Sequence, residues 1–397
     1  MQTIQKKFRE KYKNQQLKFV RNFINEVDWS NRLIGIKGAR GVGKTTLLLQ
    51  YIKQNHKLDS SVIYASLDNL YFQNNTLVDF TENFVQTGGK YLYLDEVHRY
   101  KNWGIELKNI YDDYPELKIV FTSSSILELR KARADLSRRA VMYEMPGLSL
   151  REFLKFEAGF DLPVFSIKDI INNHLDIATD FIGQFRPLQY FQEYLKYGYY
   201  PYYLENKKSF YQKLEETVQT VLDVDIPQFQ EIQITHIKKL KKLLFVISNS
   251  SPFKPNIQKL SEKIEISRNT LKTYLNYLEE GRIINQLESS TKGIAVLQKP
   301  EKIYLHDTNL IYVLSPDKLE TGNLRETFFF NQVNVANKIV SSKFADFLVN
   351  DKYTFEIGGK TKSSKQIAGI SDAYIVKDNM EIGTDNKIPL WLFGFLY

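Results

Sequence analysis

The sequence predicts an α/β protein whose first part is built on a parallel β-sheet. Short apolar runs, typical of strands buried on both faces, occur at residues 33–36, 61–65, 91–94 and 117–121. A glycine-rich segment follows the first run, two carboxylates follow the third, and a cluster of hydroxyl residues follows the fourth. Because ligands bind beyond the carboxyl ends of parallel strands, these polar residues predict one binding edge.

The glycine-rich segment, residues 38–45, reads Gly-Ala-Arg-Gly-Val-Gly-Lys-Thr and precedes a run of helix formers. This spacing between a strand and a helix is typical of a phosphate-binding loop, in which backbone N–H groups and the helix dipole face an anion. We expect Lys44 to reach the β- and γ-phosphates and Thr45 to ligate Mg²⁺. An ordinary glycine-rich turn is the alternative. The other residues assigned to the nucleotide are Gly38, Gly41, Val42, Gly43 and Thr46.

The third apolar run ends in Asp95 and Glu96, which is a Walker B pattern. Asp95 is placed to hold the Mg²⁺ shell, and Glu96 to polarise the water that attacks the γ-phosphate. The alternative is a pair of solvated acids at the end of a strand. The loop upstream favours the catalytic interpretation, because the two motifs belong to one site.

Residues 122–125, Thr-Ser-Ser-Ser, follow the fourth run. A hydroxyl at this strand end can sense the γ-phosphate through the attacking water, and we assign Ser123 to the nucleotide site. The same residues are equally suited to cap the following helix, and one serine can serve each purpose.

Five segments form one pattern when they are taken in order along the chain. They are the glycine-rich loop, Asp-Glu-Val-His at 95–98, the hydroxyl cluster, Leu-Ser-Arg-Arg at 136–139, and Met-Pro-Gly-Leu-Ser-Leu-Arg-Glu-Phe at 145–153. This pattern resembles the prokaryotic AAA+ ATPases of poorly assigned function that carry a winged helix and a nuclease-like C-terminal domain. The resemblance extends along nearly the whole chain. It implies a P-loop AAA+ sheet with helices on both faces, and ATP and Mg²⁺ as ligands.

In that family an arginine follows the sensor helix, so the resemblance implies that Arg138 or Arg139 is an arginine finger. Such a residue stabilises transition-state charge in a neighbouring subunit, which implies a homo-oligomer. The family usually has Gly-Arg where this chain has Ser-Arg-Arg at 137–139, which leaves both arginines open. The alternative is a solvated basic helix face that continues from Arg130, Lys131 and Arg133.

Composition limits the class of protein. The chain has 397 residues, of which 43% are hydrophobic, enough for two or three domains with their own cores. It has no cysteine, which excludes disulfides and thiolate sites, and its five histidines are too scattered to indicate a metal cluster. No run approaches the roughly 20 apolar residues of a membrane span, and the first residues lack the apolar core of a signal peptide. We expect a cytoplasmic protein without membrane contact.

The formal net charge is +8, and residues 1–21 hold seven basic side chains against one acidic one, Glu10. Such a stretch is suited to nucleic-acid phosphates, but also to a solvated helix that leads into the sheet. Residues 151–240 are helical and aromatic in pattern and carry no evident chemistry. Gly-Tyr-Tyr-Pro at 198–201 stands where the resembled family has a G-G-F-P-like turn, and we expect its tyrosines to pack in a core.

Two short helices, residues 257–264 and 268–280, are predicted around a turn of the length that a helix-turn-helix needs. Leu271, Tyr274, Leu275 and Leu278 fall on one face. The residues left for the outer face, where a recognition helix contacts DNA, are Arg268, Asn269, Lys272 and Thr273. Residues 281–287 then predict the strand of a wing. Double-stranded DNA is one expected partner. Alternatively, the winged helix binds an unidentified protein or is a rigid structural part of the ATPase.

The last hundred residues open with a strand at 302–305 and a helix that carries Glu326. The resemblance implies a restriction-endonuclease-like α/β domain in which Glu326, Asp346, Glu356 and Lys360 match the metal-binding and catalytic positions. However, three residues separate Glu356 from Lys360, so the two side chains do not share one strand face. Gly358 and Gly359 predict a bulge or turn. We therefore expect an inactive scaffold, followed by a buried final strand at 388–397 or an exposed apolar tail.

The predicted domains are 1–150 (AAA+ ATPase, with a basic helix in 1–30), 151–240 (helical), 241–300 (winged helix) and 301–397 (nuclease-like). The predicted function is Mg²⁺-dependent ATP binding and hydrolysis that is coupled to DNA or protein binding. Two alternatives stay open. One is an ATP-gated nuclease that processes DNA, and the other is a non-hydrolysing switch that a protein partner recognises.

Overall fold

Two units, Met1–Gly147 and Leu148–Tyr397, make up the chain. The computed structural model describes residues 1–124, 136–227, 234–290, 300–359 and 364–397. The domain boundaries predicted near residues 150, 240 and 300 stay predictions.

The described residues of unit 1 contain five strands: β1 (Leu33–Lys37), β2 (Val62–Ser66), β3 (Tyr91–Asp95), β4 (Lys118–Ser123) and β5 (Val141–Glu144). Its described α-helices are α1 (Gln2–Asn14), α2 (Lys44–Asn55), α3 (Leu77–Gln86) and α4 (Trp103–Asp113). Short 3-10 helices lie at Asn22–Asn25, Leu70–Gln73 and Val97–Arg99. The strand order is β2-β3-β4-β1-β5 and all neighbouring strands are parallel, which confirms the predicted parallel sheet.

The inner strands are buried because nearly every residue in them is apolar. Leu33, Ile34 and Ile36 of β1 and Leu92 and Leu94 of β3 have no exposed surface. Both faces of these strands therefore pack against other parts of the unit, as expected for a parallel sheet. Since all five strands run the same way, the residues after β1, β3 and β4 emerge at one edge.

Two glycines set the path of the chain between β1 and α2. Gly43 has φ +99°, a left-handed conformation that other residues rarely adopt, and helix α2 begins at the next residue. A Cβ atom on Gly38 would lie 2.4 Å from the carbonyl oxygen of Met145. The loop therefore needs glycine at 43 for its conformation and at 38 for its packing.

The basic N-terminal stretch divides into two parts. Helix α1 buries Ile4 and Phe8 and exposes most of its lysines. Arg21, which the sequence analysis counted with that charged stretch, is instead 5% exposed. Its guanidinium donates hydrogen bonds to the carbonyls of Val42 (3.2 Å), Pro146 (2.6 Å) and Gly147 (2.8 Å). Arg21 therefore ties the glycine-rich loop to the segment after β5.

Unit 2 contains helices α5 (Leu150–Ala158), α6 (Ile167–Ile182), α7 (Pro187–Tyr197), α8 (Phe210–Thr220), α9 (Ile234–Ser248), α10 (Ile257–Ile264), α11 (Arg268–Glu280), α12 (Thr308–Leu314) and α13 (Thr321–Asn334). A π-helical turn covers Val221–Asp225, and 3-10 helices lie at Pro201–Leu204, Lys207–Ser209, Pro316–Lys318, Ser364–Ile367 and Leu390–Phe395. Within the described ranges, no helix has the length and apolar character needed to cross a bilayer.

The strands of unit 2 are β6 (Ile284–Leu287), β7 (Lys302–Leu305), β8 (Ile339–Ser341), β9 (Phe347–Val349), β10 (Tyr353–Gly358), β11 (Ala373–Lys377) and β12 (Lys387–Pro389). Strands β6 and β7 form an antiparallel pair. The other five form a mixed sheet of order β12-β11-β10-β9-β8, in which β8, β9 and β10 are antiparallel and β10, β11 and β12 are parallel.

The two helices predicted around residues 257–280 are confirmed as α10 and α11, with Ser267 capping α11 by accepting a hydrogen bond from the Thr270 amide. The predicted core face of α11 is at most 3% exposed. Its carboxyl end does not present free acids, because Glu280 is buried and Glu279 accepts two hydrogen bonds from Gln286. The strand after α11 begins at Ile284 and pairs with β7.

Two local expectations for the C-terminal part differ from the structure. Gly358 does not form a bulge; it is the last residue of β10 and pairs with Lys377 of β11. A turn that follows Gly359 would fall on residues 360–363, outside the described residues. The last apolar residues are buried, but their strand ends at Pro389 and a 3-10 helix follows. In this helix six consecutive residues, Leu390–Phe395, are buried, and Phe393 packs against Phe329 while Phe395 packs against Phe181. A strand would instead send successive side chains to opposite faces.

We expect Arg21→Met to lower the local stability of the loop and sheet by about 3 kcal/mol, because three buried carbonyls lose charge-assisted hydrogen bonds while the side-chain volume is nearly kept. Hydrogen exchange of the β1 and β4 amides measures this free energy. The matched control is Arg9→Met on the exposed face of α1, which should change it by less than about 0.5 kcal/mol. Equal protection in Arg21→Met and the control would show that these bonds contribute nothing.

Candidate nucleotide site

The carboxyl ends of β1, β3 and β4 bring the three predicted motifs together. The Thr45 hydroxyl, at the start of α2, donates a 2.7 Å hydrogen bond to Oδ2 of Asp95 at the end of β3. The Thr122 hydroxyl of β4 donates to Oδ1 of the same carboxylate and accepts from the Glu96 amide at 3.1 Å. The loop, the acidic pair and the hydroxyl cluster thus meet at Asp95.

Lys44 lies folded over its own loop. Its ammonium group donates to the carbonyls of Gly38 (2.8 Å) and Ala39 (2.9 Å), and the residue is 5% exposed. The cation therefore sits within the concave backbone that the glycines create. Two other residues that were assigned to the nucleotide from sequence differ in burial. Thr46, in the first turn of α2, is exposed, whereas Val42 of the loop is fully buried.

Asp95 is 2% exposed and accepts hydrogen bonds from three hydroxyl groups, those of Thr45, Thr122 and Tyr64, the last at 2.7 Å. Neutral donors stabilise the carboxylate without cancelling its charge. Carboxylate and hydroxyl oxygens are the ligands that Mg²⁺ prefers, so Asp95 and Thr45 fit the ion predicted from sequence. Tyr64 was not predicted, because nothing in the β2 sequence shows that its hydroxyl reaches the neighbouring strand.

Glu96 adopts a left-handed backbone conformation with φ +52°. Its Oε2 lies 3.2 Å from the Ser124 hydroxyl and 3.4 Å from Nε2 of His98. The Ser124 hydroxyl and Nε2 of His98 are 3.3 Å apart. Burial raises the pKa of Glu96, and the positive charge of Lys44 opposes this change. Glu96, His98 and Ser124 therefore form one polar cluster beside the loop.

The serine beside Glu96 is Ser124, whereas Ser123 was the serine assigned from the sequence. Side chains alternate along a strand, and Thr122 faces Asp95, so Ser123 faces away from that carboxylate. His98 was not assigned a role from sequence, and Ser124 was named only as one member of the hydroxyl cluster at 122–125. The Asp-Glu-Val-His spacing was the available signal for His98, since a turn after the strand can return this side chain to Glu96.

The two candidate arginines have different surroundings. Arg139 forms an ion pair with Asp112 of α4, through Nε–Oδ1 (2.9 Å) and NH2–Oδ2 (2.8 Å) contacts. The hydrogen bond from Arg139 holds the pKa of Asp112 below its usual value. Arg138 is exposed and has a left-handed backbone with φ +68°. Ser125, Arg130, Lys131 and Arg133 lie outside the described residues.

In unit 2, the positions predicted to resemble a nuclease site are partly brought together. Lys302 donates to Glu326 (3.0 Å) and to Asp346 (3.3 Å). Burial opposes the charge of Lys302, but the two carboxylates more than compensate and raise its pKa. Glu326 also accepts from the Tyr304 hydroxyl at 2.8 Å. Lys302 was not predicted, and it neutralises part of the charge of this carboxylate pair.

Glu356 lies in β10 and is 1% exposed. Asp346 accepts a 2.9 Å hydrogen bond from the amide of Ile357, the residue after Glu356, so Asp346 lies beside this part of β10. The position two residues after Glu356 on the same face is Gly358, and Lys360 lies outside the described residues. Over the described parts of the chain, no three His, Cys, Asp or Glu side chains form a group that could hold a metal ion.

Comparison with known families gives two matches. Residues 30–154 match the model of a family described as an AAA domain. Residues 188–321 match a domain of unknown function, DUF8612. The first match covers the strands and motifs of the site and supports a nucleotide-binding domain of the AAA type. The second match carries no activity with it.

The chain is also similar to an uncharacterized protein of Methanocaldococcus jannaschii, MJ1637, with 27% identity over 393 residues that cover 90% of this chain and 81% of that protein. Among solved structures, AMPPCP-bound DnaA from Aquifex aeolicus is 14% identical, with 65% of this chain and 84% of that chain covered and a TM-score of 0.28. The Hsp104–ADP complex of S. cerevisiae is 13% identical, with 70% and 39% covered and a TM-score of 0.26. These TM-scores are too low to support a conclusion.

We expect Lys44→Met to weaken the binding of a fluorescent ATP analogue at least about 10-fold, because each tenfold change corresponds to about 1.4 kcal/mol, less than one charge-assisted contact supplies. Titration followed by fluorescence anisotropy measures the dissociation constant. Lys53→Met, which alters a lysine at the far end of α2, is the matched control and should bind as the wild type does. Unchanged affinity in Lys44→Met would contradict a phosphate-binding role for the loop.

Proposed function

We propose that this chain is a Mg²⁺-dependent ATPase of the AAA type, with its catalytic site at the carboxyl ends of β1, β3 and β4. The observation that carries the proposal is the 2.7 Å hydrogen bond between Thr45 and Asp95. Two motifs that lie 50 residues apart in sequence each predict one ligand of the same ion, and these two side chains are in contact.

Each residue then has a defined task. Lys44 exchanges the carbonyls of Gly38 and Ala39 for phosphate oxygens, while the loop amides bind the phosphate chain. Mg²⁺ held by Thr45 and Asp95 would neutralise charge on the β- and γ-phosphates. Glu96 accepts a hydrogen bond from the attacking water and orients it, and the raised pKa of this carboxylate makes it a better proton acceptor.

Turnover by this mechanism gains from a cation that reaches the transferring phosphoryl group from another subunit. We assign this task to Arg138 and infer a homo-oligomer. Arg138 is exposed, whereas the guanidinium of Arg139 is engaged by Asp112 of the same unit. An exposed arginine can enter a neighbouring site without first breaking an ion pair.

We further propose that nucleotide state is coupled to double-stranded DNA through α11. Arg268, Asn269 and Thr273 are exposed on the face opposite the buried leucines of this helix. The two acids at its carboxyl end are not presented to solvent as free carboxylates, because Glu280 is buried and Glu279 accepts a hydrogen bond from Gln286. The two carboxylates of α11 itself therefore do not point from its exposed face toward phosphates. A protein partner is the alternative occupant of this face.

Nuclease activity is not part of the proposal. Lys302 donates hydrogen bonds to both Glu326 and Asp346, so its charge occupies the place where a cation would be attracted. In addition, Gly358 stands at the position where an E-x-K strand has its lysine. Incubation of plasmid DNA with the protein, Mg²⁺ and ATP is the direct test, and cleavage that Glu356→Ala abolishes would overturn this view.

We expect the wild type to release phosphate from Mg·ATP and Glu96→Gln to reduce the turnover number at least about 100-fold, in the range of a lost general base. Affinity for ATP should be unchanged, because glutamine keeps the shape of the side chain. A malachite-green assay measures turnover. Asp68→Asn, in the loop after β2, is a matched acid-to-amide control that should retain activity. Binding without turnover by the wild type would contradict hydrolysis and favour a nucleotide-dependent switch.

The same assay tests the DNA proposal when duplex DNA is added at low and moderate salt. Stimulation that declines as salt rises indicates contact with phosphates, since each neutralised phosphate releases counterions. Arg268→Ala should reduce the stimulation and leave basal turnover unchanged. Turnover that is indifferent to DNA at both salt concentrations would remove DNA as the partner and direct the search to proteins.

We expect Arg138→Ala to lower the turnover number about 10³-fold, the lower range for an arginine finger, with unchanged ATP affinity. Arg139→Ala is the matched control and should have a much smaller effect. Mixing Arg138→Ala with Glu96→Gln should restore turnover, because the second variant supplies an arginine to intact sites of the first. A larger loss in Arg139→Ala, or no restoration on mixing, would contradict the assignment.

A further inference from the structure

One of the three hydroxyls on Asp95 belongs to none of the motifs. Tyr64 lies in the middle of β2, and its hydroxyl is 2.7 Å from Oδ2 of Asp95 on the neighbouring strand. The tyrosine is 3% exposed. Its ring stacks on Phe8 of α1 with centroids 6.4 Å apart. Tyr64 thus stands between the N-terminal helix and the proposed metal ligand.

The Tyr64 hydroxyl has a second partner. Nζ of Lys11, on α1, lies 3.3 Å from the hydroxyl oxygen and 4.9 Å from the ring centroid. An ammonium group only donates hydrogen bonds and a carboxylate only accepts them. The hydroxyl must therefore accept from Lys11 and donate to Asp95. This chain of two hydrogen bonds has one possible direction, in which the phenolic O–H of Tyr64 points toward Asp95.

The geometry at Asp95 shows what this bond accomplishes. Thr122 donates to Oδ1, and Tyr64 donates to Oδ2. Each carboxylate oxygen therefore has at least one protein donor, so the plane of the carboxylate is held on both sides. Thr45, the other proposed ligand, also contacts Oδ2. A carboxylate has about four lone-pair positions, so acceptor capacity remains on Asp95 for a cation.

We propose that Tyr64 is a positioning residue for Mg·nucleotide, and that Lys11 of α1 supports it. The inference rests on the proposed function, since it concerns the same site. Tyr64 holds the Asp95 carboxylate in the orientation that binds the ion, and Lys11 holds the Tyr64 hydroxyl in the orientation that bonds to Asp95. The N-terminal helix therefore helps to determine the affinity of the site for the metal-bound nucleotide.

The test measures the binding of a fluorescent ATP analogue to the full chain in Mg²⁺ and in EDTA. In Tyr64→Phe, which removes only the hydroxyl and keeps the ring beside Phe8, the dissociation constant should rise about 10-fold in Mg²⁺, the size expected for one hydrogen bond to a charged group. In EDTA it should be unchanged. Lys11→Met, a change at an exposed side chain, should shift the constant in the same direction by about 3-fold.

The matched control is Tyr93→Phe. Tyr93 is the register partner of Tyr64 on β3 and is also 3% exposed, but its hydroxyl contacts Nε2 of His56 at 2.7 Å and not Asp95. The two variants lose the same atom from neighbouring buried positions. A general loss of packing or hydrogen bonding would therefore affect both, whereas loss of metal positioning affects Tyr64→Phe alone.

Equal affinities of Tyr64→Phe and the wild type in Mg²⁺, or equal losses in Tyr64→Phe and Tyr93→Phe, would overturn the inference and leave the proposed function intact. If the wild type itself binds the analogue no better in Mg²⁺ than in EDTA, the metal site of the proposed function fails, and the inference fails with it. If circular dichroism shows that Tyr64→Phe does not fold, the test rests on Lys11→Met. Unchanged affinity of Lys11→Met in Mg²⁺ overturns the inference, and the expected shift of about 3-fold supports it.

Discussion

The carboxylate of Asp95 is the point on which the nucleotide site depends. Hydroxyl groups from α2, β2 and β4 donate to it, so three elements that are distant in sequence are oriented by one buried charge. The cost of burying a carboxylate is offset only when its oxygens are satisfied. Hydroxyl donors meet this need and add no positive charge. Asp95 is therefore buried with its oxygens satisfied by neutral groups, an arrangement suited to attracting a cation.

The carboxylates of unit 2 are stabilised in a different way. Glu326 and Asp346 share the ammonium group of Lys302, so that charge is compensated within the protein. A cation that approached this pair would first have to displace the lysine. The residue types alone do not distinguish this lysine-bridged pair from a metal site, because both would show two acids, Glu326 and Asp346, near a strand that carries Glu356. The difference lies in whether the donor that satisfies the carboxylates is neutral or charged.

The segments outside the motifs support the site through hydrogen bonds. Arg21 bonds three carbonyls that include Val42 of the loop, and Lys11 reaches Tyr64 beside Asp95. Both residues come from a stretch whose charge pattern suggested a surface for nucleic acid. Most lysines of α1 are exposed. However, Arg21 donates hydrogen bonds to backbone carbonyls, and Lys11 donates one to the phenol of Tyr64. Net charge alone therefore overstates how much of this stretch is available to a partner.

Local features of the sequence determined the parallel sheet, the glycine-rich loop and the helix pair α10–α11, because strand burial, glycine conformations and the 3.6-residue period act within a few residues. The placement of Tyr64, Arg21 and Lys302, and the choice of Ser124 over Ser123, was decided only by the tertiary structure. Tyr64 and Asp95 are 31 residues apart, and Arg21 and Gly147 are 126 apart. A single hydrogen bond over such a distance leaves no periodic signal in the sequence, since it depends on which strands become neighbours and on which face of the strand each side chain lies.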